Sequence, residues 1–316
     1  MSYPEWKTGT TTPTIGVFDS GFGGLTVLRA LVARLPGARF AFFGDTARLP
    51  YGSKSRRTIA RYAVQCAQFL VREQGAEFLV IACNTASALA LDAIQDAVPV
   101  PVLGVIEPGA DAARAASRTG DVLVIATGAT VESHAYAAAC RARGMRALEK
   151  ACPLLVPLVE EGWTGPLVAA GADTEASAVQ AASAPPQIAV TAEVIRIYLA
   201  ELTTEAAAQG MNPDTLVLGC THYPLLRPLI ERAVPAGMHV IDSAEAAAEA
   251  AALLFNLQDT KKHSPTAQVQ IRCFATDSVE KFERLGSRFL NQPTGKVKLV
   301  DMSGWVDNIF FVADIL

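Results

Sequence analysis

The architecture of this chain follows from one segment, Phe78-Leu79-Val80-Ile81-Ala82-Cys83-Asn84-Thr85, which has a counterpart later in the sequence. The counterpart is Thr215-Leu216-Val217-Leu218-Gly219-Cys220-Thr221-His222. In each segment a short apolar run ends in a small residue, a cysteine and two polar residues, and a helical pattern follows, over 86–97 and 224–233. A short apolar run ahead of a helix predicts a buried parallel strand. We therefore expect each cysteine at the carboxyl end of a strand, the edge at which open α/β sheets bind ligands.

The two cysteines are also expected to lie near helix N-termini. At such a position the helix dipole lowers a thiol pKa from about 8.5 and favours the thiolate. A single cysteine at a strand end is more often part of the core, because cysteine is among the most buried residue types. Two cysteines in matching contexts, each followed by hydrogen-bonding side chains, favour a functional role. Cys83 and Cys220 are therefore the candidate catalytic residues.

Length and composition narrow the class of protein. The chain has 316 residues, which is long for one domain and suits two. Hydrophobic residues make up 51% of it, yet no uninterrupted apolar run reaches membrane-spanning length. The net charge of −4 gives no indication of a nucleic-acid surface. The six cysteines include no C-x-x-C pair, and we expect a reduced, cytoplasmic protein.

Strand and helix patterns alternate along the chain, which predicts an α/β fold with parallel sheets. The first strand, over 14–18, runs into the glycine-rich turn Asp19-Ser20-Gly21-Phe22-Gly23-Gly24 and then a helix over 25–35. Such a turn exposes backbone N–H groups that can hold an anion, although it matches neither a Walker loop nor a dinucleotide fingerprint. The pattern starts again near Asp121, which predicts two similar halves, each with one cysteine. We expect a site between the halves that both thiols face.

Apolar periodicity predicts the remaining elements. The further predicted strands cover 39–43, 102–106, 240–242 and 268–275, and the further predicted helices cover 58–74, 131–143, 189–208, 244–257 and 279–290. Cys66 lies on the apolar face of its helix and Cys140 within another, so both are assigned to packing. Residues 164–187 are rich in alanine, glycine, serine and proline, and Pro185-Pro186 ends any helix there.

Racemisation explains why two cysteines are needed. A cysteine nucleophile paired with a histidine base uses one special cysteine and leaves the second redundant. Cys220 and His222 supply two metal ligands, whereas a zinc site needs three or four. Inverting a stereocentre by proton transfer needs a base on one face and an acid on the other, and two thiols can exchange those roles. No cofactor and no metal is required.

Four motifs make the chain resemble the glutamate racemases, members of the cofactor-independent aspartate/glutamate racemase superfamily. The motifs are Val17-Phe18-Asp19-Ser20-Gly21-Phe22-Gly23-Gly24-Leu25-Thr26-Val27, Gly44-Asp45-Thr46-Ala47 with Leu49-Pro50-Tyr51-Gly52, Ala82-Cys83-Asn84-Thr85-Ala86, and Leu218-Gly219-Cys220-Thr221-His222-Tyr223-Pro224. The resemblance covers nearly the whole chain. It implies interconversion of L- and D-glutamate, a supply of D-glutamate for bacterial peptidoglycan, and a homodimer. It also implies that Cys83 and Cys220 are the two acid/base thiols.

The resemblance further implies which residues contact the substrate. They are Asp19, Ser20, Tyr51, Gly52, Asn84, Thr85, Thr221 and His222. Asp19 and His222 are also expected to assist the neighbouring cysteines. Another polar position of the family corresponds to Glu160 or Glu161, and the sequence does not distinguish the two.

The first of the two implied domains is discontinuous. The first domain covers 1–107 with 225–316 and contains Cys83, and the second covers 108–224 and contains Cys220. The stretch 164–187 looks longer than the family core. Two alternative functions stay open at this point: an aspartate racemase or related isomerase, and a binding module that kept the fold and lost catalysis. The presence of both thiols and both polar turns argues against the binding module.

Overall fold

The computed structural model describes residues 13–164, 185–254 and 269–303. Its strands are β1 (Thr14–Asp19), β2 (Arg39–Gly44), β3 (Phe78–Ile81), β4 (Val102–Gly104), β5 (Asp121–Ala126), β6 (Arg146–Ala151), β7 (Thr215–Gly219), β8 (His239–Asp242), β9 (Ile271–Ala275) and β10 (Val297–Leu299). These strands form a six-stranded sheet in the order β10-β9-β2-β1-β3-β4 and a four-stranded sheet in the order β6-β5-β7-β8. Every pairing in the two sheets is parallel. The predicted fold class, two parallel-sheet α/β halves, is confirmed.

Helices connect the parallel strands and cover the sheets. They are α1 (Leu25–Arg34), α2 (Arg56–Arg72), α3 (Asn84–Leu89), α4 (Leu91–Ala97), α5 (Ile106–Ala116), α6 (Gly128–Glu132), α7 (Ala135–Ala142), α8 (Leu155–Glu160), α9 (Pro186–Ala208), α10 (Arg227–Ala233), α11 (Ser243–Leu254) and α12 (Val279–Leu290). Short 3₁₀ turns occupy Thr46–Arg48, Tyr51–Ser53 and Tyr223–Leu226. No helix in the described ranges is long and apolar enough to cross a membrane.

The apolar core is continuous between the two sheets. All six residues of β1 are buried, as expected for a central strand covered on both faces. One cluster of buried side chains runs from Leu28 of α1 through Phe282 of α12 to Leu123 and Leu216 of the second sheet. Helix α11 packs against both α1 and α5. This packing fixes the carboxyl ends of β3 and β7, the strands that precede Cys83 and Cys220, relative to each other.

Sheet membership bears on the predicted domain division. Strand β8 pairs with β7 in the second sheet, although the boundary at 225 assigned its residues to the first domain. Strands β9 and β10 lie in the first sheet, beside β2. The division itself stays a prediction, and a boundary beyond β8 fits the strand pairing better.

Five local features differ from the predicted elements. The helix predicted over 86–97 is interrupted at Ala90, and the helix predicted over 131–143 is interrupted at His134, whose φ is 54°. Helix α5 and strand β6 were not predicted. The helix predicted over 224–233 begins as a 3₁₀ turn. Residues 165–184, the last residues of the helix predicted over 244–257, and the first residue of the strand predicted over 268–275 lie outside the described residues.

Candidate active site

Cys83 stands at the junction of β3 and α3. Its sulfur accepts a hydrogen bond from the Ala86 backbone N–H at 3.4 Å, so the side chain caps the first turn of the helix. The thiol also contacts the hydroxyl of Ser20, with 3.5 Å between Sγ and Oγ. Only 5% of Cys83 is exposed. The structure therefore places Cys83 and Ser20 side by side, as the sequence analysis expected of site residues.

Cys220 occupies the equivalent position in the second half, directly after β7. Its sulfur lies 4.0 Å from Nδ1 of His222, and the residue is 5% exposed. Nδ1 of His222 also lies 3.4 Å from the Thr221 hydroxyl. Both thiols are thus nearly buried, and each stands at the carboxyl end of a parallel strand.

The glycine-rich turn after β1 presses against the Cys220 segment. A Cβ atom added at Gly23 would lie 2.4 Å from the Thr221 hydroxyl and 2.5 Å from the His222 ring, so the contact requires glycine. The Thr26 hydroxyl donates a hydrogen bond to the Thr221 carbonyl at 3.0 Å. At the start of the turn, Asp19 Oδ2 accepts a hydrogen bond from the Gly21 N–H at 3.0 Å. The turn therefore joins the two halves at the thiols.

Burial governs the ionisation of both thiols. It raises the pKa of Cys83 to about 11, and the negative charge of Asp19 adds to the increase, although hydrogen bonds from Ser20 and Ala86 oppose it. Burial likewise raises the pKa of Cys220, and negative charge on Cys83 or Asp19 raises it further. The prediction that the helix dipole favours the thiolate is therefore wrong for this structure, because the desolvation cost exceeds what a few N–H groups return. Since charge on Cys83 opposes charge on Cys220, the two thiols are not ionised together, and both hold their protons in the free site.

Glu160 reaches the site and Glu161 does not. Oε1 of Glu160 lies 3.4 Å from Nε2 of His222, within ion-pair range but without the alignment of a hydrogen bond. Oε2 lies 3.5 Å from the Lys281 amine, whereas Glu161 is exposed. Burial alone would raise the pKa of Glu160, but His222 and then Lys281 lower it, and the net pKa is below its ordinary value. An ionised Glu160 therefore faces the outer nitrogen of His222.

Tyr51 and Gly52 lie at the edge of the site. The Tyr51 hydroxyl donates a hydrogen bond to Asp45 Oδ2 at 2.5 Å, and Asp45 also accepts hydrogen bonds from Arg48 and Thr276. That hydroxyl is therefore engaged by Asp45. A Cβ added at Gly52 would lie 3.4 Å from Thr127, an ordinary van der Waals distance, so the Tyr51–Ser53 turn lies close to the second half.

Asn84 and Thr85 each contact the second half through side chains that the sequence analysis did not select. The Tyr136 hydroxyl donates a hydrogen bond to Asn84 Oδ1 at 2.7 Å. The Thr85 hydroxyl lies 3.0 Å from the hydroxyl of Thr127 and 3.2 Å from that of Thr130. The sequence pattern could have pointed to Thr127 and Thr130, because their turn follows β5. That strand pairs with β7, which leads to Cys220.

Three buried side-chain atoms have no hydrogen-bond partner within the described residues: Asp19 Oδ1, Asn84 Nδ2 and His222 Nε2. Leaving such a group unpaired costs about 1–3 kcal/mol, and folded proteins contain few of them. Two of the three belong to residues beside the thiols, since Asn84 follows Cys83 and the charge of Asp19 acts on both sulfurs, whereas His222 Nε2 faces Glu160. Oxygen and nitrogen atoms without partners around two thiols are suited to a small ligand with both charges.

The side chains of the site do not form a metal centre. Within the described ranges, no group of three or more His, Cys, Asp and Glu side chains is arranged to hold a metal ion. Thiol, carboxyl and imidazole groups lie close together here, and side chains of these types can take up and deliver protons.

Residues 15–251 match the Asp/Glu/hydantoin racemase family. The chain belongs to this family. Among curated relatives, the glutamate racemase of Koribacter versatilis is 47% identical over 312 residues, covering 92% of this chain and 98% of the relative. The glutamate racemase of Syntrophus aciditrophicus is 44% identical and covers 91% of this chain and 96% of the relative.

Solved structures of racemases in this family share the fold. The Francisella tularensis glutamate racemase, crystallised in complex with D-glutamate, has a TM-score of 0.75 and 32% identity, covering 93% of this chain and 99% of that one. The Thermus thermophilus glutamate racemase has a TM-score of 0.72 and 38% identity, with coverage of 92% and 98%. The resemblance found in the sequence is confirmed, and the chain is an amino-acid racemase, an isomerase.

Proposed function

We propose that this racemase interconverts L- and D-glutamate by proton transfer between Cys83, Cys220 and the substrate α-carbon. Family membership and the curated glutamate racemases support the choice of substrate. The main structural support is a pair of buried atoms beside the thiols, Asp19 Oδ1 and Asn84 Nδ2, that have no hydrogen-bond partner among the described residues. An amino acid with two carboxylates has oxygens that can accept a hydrogen bond from an N–H donor such as Asn84 Nδ2. Its ammonium group can pair with a carboxylate such as that of Asp19.

The proton transfer is balanced within the two thiols. One cysteine, as thiolate, takes the α-hydrogen as a proton from one face of the substrate, and the C–H electron pair stays on the α-carbon. The other cysteine, as thiol, delivers its proton to the opposite face and becomes the thiolate. One cysteine gains a proton and the other loses one, so the total number of protons on Cys83 and Cys220 is unchanged. The reverse reaction starts from this exchanged state.

Substrate charge also favours the first thiolate. Burial raises the pKa of Cys83 to about 11 and raises that of Cys220, so both thiols hold their protons when no cation is near. A substrate ammonium close to the sulfurs favours the charged form and lowers the pKa of both. Asp19 and His222 stand next to the cysteines and are proposed to accept the thiol proton as the substrate binds.

We assign substrate contact to the polar groups around the sulfurs. The proposed set is Asp19, Ser20, Tyr51, Gly52, Asn84, Thr85, Thr221 and His222, with Thr127 and Thr130 added from the structure. Because the hydroxyl of Tyr51 is bonded to Asp45, the proposed contacts of Tyr51 and Gly52 are made through their backbone.

The proposed cellular role is to supply D-glutamate for peptidoglycan in the cytoplasm, with the enzyme acting as a homodimer and without a cofactor. The first of the two proposed domains is discontinuous and contains Cys83, and the second contains Cys220. Light scattering at the assay concentration is expected to give the mass of a dimer, and a monomer mass would reject that part of the proposal.

Circular dichroism of single enantiomers tests the substrate assignment. With purified enzyme, the signals of L-glutamate and of D-glutamate should each decay to zero, and those of the aspartate enantiomers should persist. We expect the same rates after treatment with a chelator, and no absorbance from bound pyridoxal. Decay with aspartate alone, or with neither amino acid, would contradict the proposed function.

A further inference from the structure

Tyr136 joins the two thiol-bearing strand ends through contacts that neither the family assignment nor the sequence motifs identify. It lies in α7 of the second half and is completely buried. Its hydroxyl donates a hydrogen bond to Asn84 Oδ1 at 2.7 Å, and Asn84 directly follows Cys83. Its ring lies against Gly219, the residue before Cys220, where an added Cβ would come within 2.9 Å of the ring.

The ring of Tyr136 is held in place by two glycines. An added Cβ at Gly109 of α5 would lie 3.2 Å from Cε1 of the ring, whereas the added Cβ at Gly219 approaches Cε2, on the other edge. Such a packed ring leaves the hydroxyl little freedom to move away from Asn84. The hydrogen bond therefore holds Asn84, the residue that follows Cys83, at a fixed distance from the second half.

The hydrogen bond selects one of the two orientations of the Asn84 amide. Burial raises the pKa of the Tyr136 phenol, so the hydroxyl keeps its proton and acts as a donor. A phenol donor pairs with the carbonyl oxygen of an amide rather than with its NH₂ group. With Oδ1 held by Tyr136, Nδ2 points elsewhere, and it has no hydrogen-bond partner in the described part of the chain.

We propose that Tyr136 is a positioning residue that fixes the Asn84 amide so that Nδ2 donates a hydrogen bond to a carboxylate of the substrate. This inference rests on the proposed function. Tyr136 itself does not touch the reacting atoms, and it acts through Asn84. Without the phenol donor the amide can rotate and present its oxygen, which repels a carboxylate, so the substrate is bound less tightly.

A double-mutant cycle separates this role from a general loss of packing. Tyr136→Phe keeps the ring between the glycines and removes only the hydroxyl. We expect its KM for glutamate to rise about three- to tenfold with kcat changed less, as for a weakened hydrogen bond to a charged group. In an Asn84→Ala background, the same substitution should change KM less than about twofold, because the group that Tyr136 orients is gone.

Tyr223→Phe is the matched control. Tyr223 is also fully buried in the second half, but its hydroxyl donates to the backbone carbonyls of Ala126 and Cys152. We expect a similar loss of thermal stability in both Phe variants, and a raised KM only for Tyr136→Phe. Additive effects of Tyr136→Phe and Asn84→Ala, or an unchanged KM in Tyr136→Phe, would overturn the inference.

Asn84→Asp tests the orientation of the amide without changing Tyr136. The carboxylate can still accept the phenol hydrogen bond with one oxygen, but its other oxygen then replaces Nδ2 and repels the substrate. We expect a larger rise in KM than for Asn84→Ala, and a near wild-type KM would overturn the inference. A wild-type enzyme that does not racemise glutamate would overturn the proposed function, and this inference with it.

Discussion

The Thr26 hydroxyl connects the glycine-rich turn to the segment that contains Cys220. It donates to the Gly23 carbonyl and to the Thr221 carbonyl, each at 3.0 Å. Thr26→Val leaves the Thr221 carbonyl without this donor, at a cost of about 1–3 kcal/mol for a buried acceptor. Because Thr221 lies between Cys220 and His222, we expect kcat/KM to fall about tenfold, as a misplaced catalytic segment commonly costs. Racemisation assays and thermal unfolding measure the two effects.

Thr191→Val provides the control for that loss. Thr191 is equally buried, but its hydroxyl donates to the Gln187 carbonyl within α9. The control variant should lose some stability and keep the kcat/KM of the wild type. Equal losses of kcat/KM in the two variants would mean that Thr26 supports only the fold.

At the residue scale, the positions of the thiols were predictable because their pattern is local. An apolar run, a small residue and a cysteine ahead of a helix determine where the sulfur lies. The contact of Thr85 with Thr127 and Thr130 was not predictable in the same way, because it forms between segments brought together only by packing of the two halves. The pKa of the thiols was mispredicted for a related reason, since burial is a property of the whole fold.

At the scale of single elements, Asp242 and Asp214 contribute to the stability of the fold with opposite dependence on pH. Asp242 precedes α11 and accepts a hydrogen bond from the Ala244 N–H at 2.8 Å, and its burial raises its pKa from 3.8 to about 6. Asp214 precedes β7. Burial alone would raise the pKa of Asp214, but hydrogen bonds from Ser117 and from backbone N–H groups lower it below its ordinary value.

The sign of each contribution follows from proton linkage. The folded state binds the Asp242 proton more tightly than the unfolded state, so this group favours folding below pH 3.8 and loses that effect as the pH rises through about 6. Asp242→Asn keeps the cap and should raise the free energy of unfolding at pH 7.5 by about 2–3 kcal/mol. Chemical denaturation at pH 7.5 and pH 4 measures it, and the advantage of the variant should shrink at pH 4.

Asp214→Asn should behave in the opposite sense. It removes an acceptor held in its charged form, so it should lower the stability at pH 7.5, and the difference should diminish as the pH falls below 3.8. Destabilisation by Asp242→Asn at pH 7.5, or the same sign of change for both variants, would contradict this explanation.

Helix α5 and strand β6 show where element prediction failed. Pro108 and Gly109 suggest a break in α5, yet Pro108 lies in the first turn, where no intrahelical N–H bond is required, and Gly109 makes room for Tyr136. Strand β6 lies at the edge of its sheet and is only partly buried, so it lacks the apolar run that marked the other strands. The long, strongly periodic segments such as α2 and α12 were predicted correctly to within a few residues.

At the scale of the whole molecule, the two halves meet through a chain of polar contacts beside His222. Lys281 of α12, in the first half, lies 3.5 Å from Glu160 of α8, in the second half. A partly exposed ion pair of this kind adds about 0–1 kcal/mol to stability. We therefore expect Lys281→Met to leave the unfolding temperature nearly unchanged but to lower kcat/KM about three- to tenfold, because Glu160 holds His222 in place.

Two further variants make the prediction specific to the contact between the halves. Lys281→Arg retains the positive charge and should restore most of kcat/KM. Lys150→Met removes an ion pair of 2.8 Å with Glu201 that lies within the second half, and should leave kcat/KM unchanged. Equal activity losses in the Lys281→Met and Lys150→Met enzymes would contradict a role for the contact between halves.

In the proposed mechanism each thiol serves one face of the substrate. Cys83→Ala and Cys220→Ala each leave one base, which can remove the α-hydrogen from the enantiomer presenting it on that side and return a solvent proton to the same face. Neither variant can then invert the α-carbon at a useful rate, since loss of a positioned acid or base costs about 10²–10⁴-fold. Alanine is the cleaner substitution because serine retains a hydroxyl proton. Traces of wild-type enzyme must be kept below that residual rate.

Proton NMR of the α-hydrogen in D₂O, for each variant with each enantiomer, measures this division of labour directly. We expect no racemisation by either variant, and exchange of the α-hydrogen for deuterium in one enantiomer only, with opposite enantiomers for the two variants. From the resemblance we expect Cys83 to act on D-glutamate and Cys220 on L-glutamate. Racemisation by either variant at near the wild-type rate, or exchange of the same enantiomer by both, would contradict the two-base mechanism.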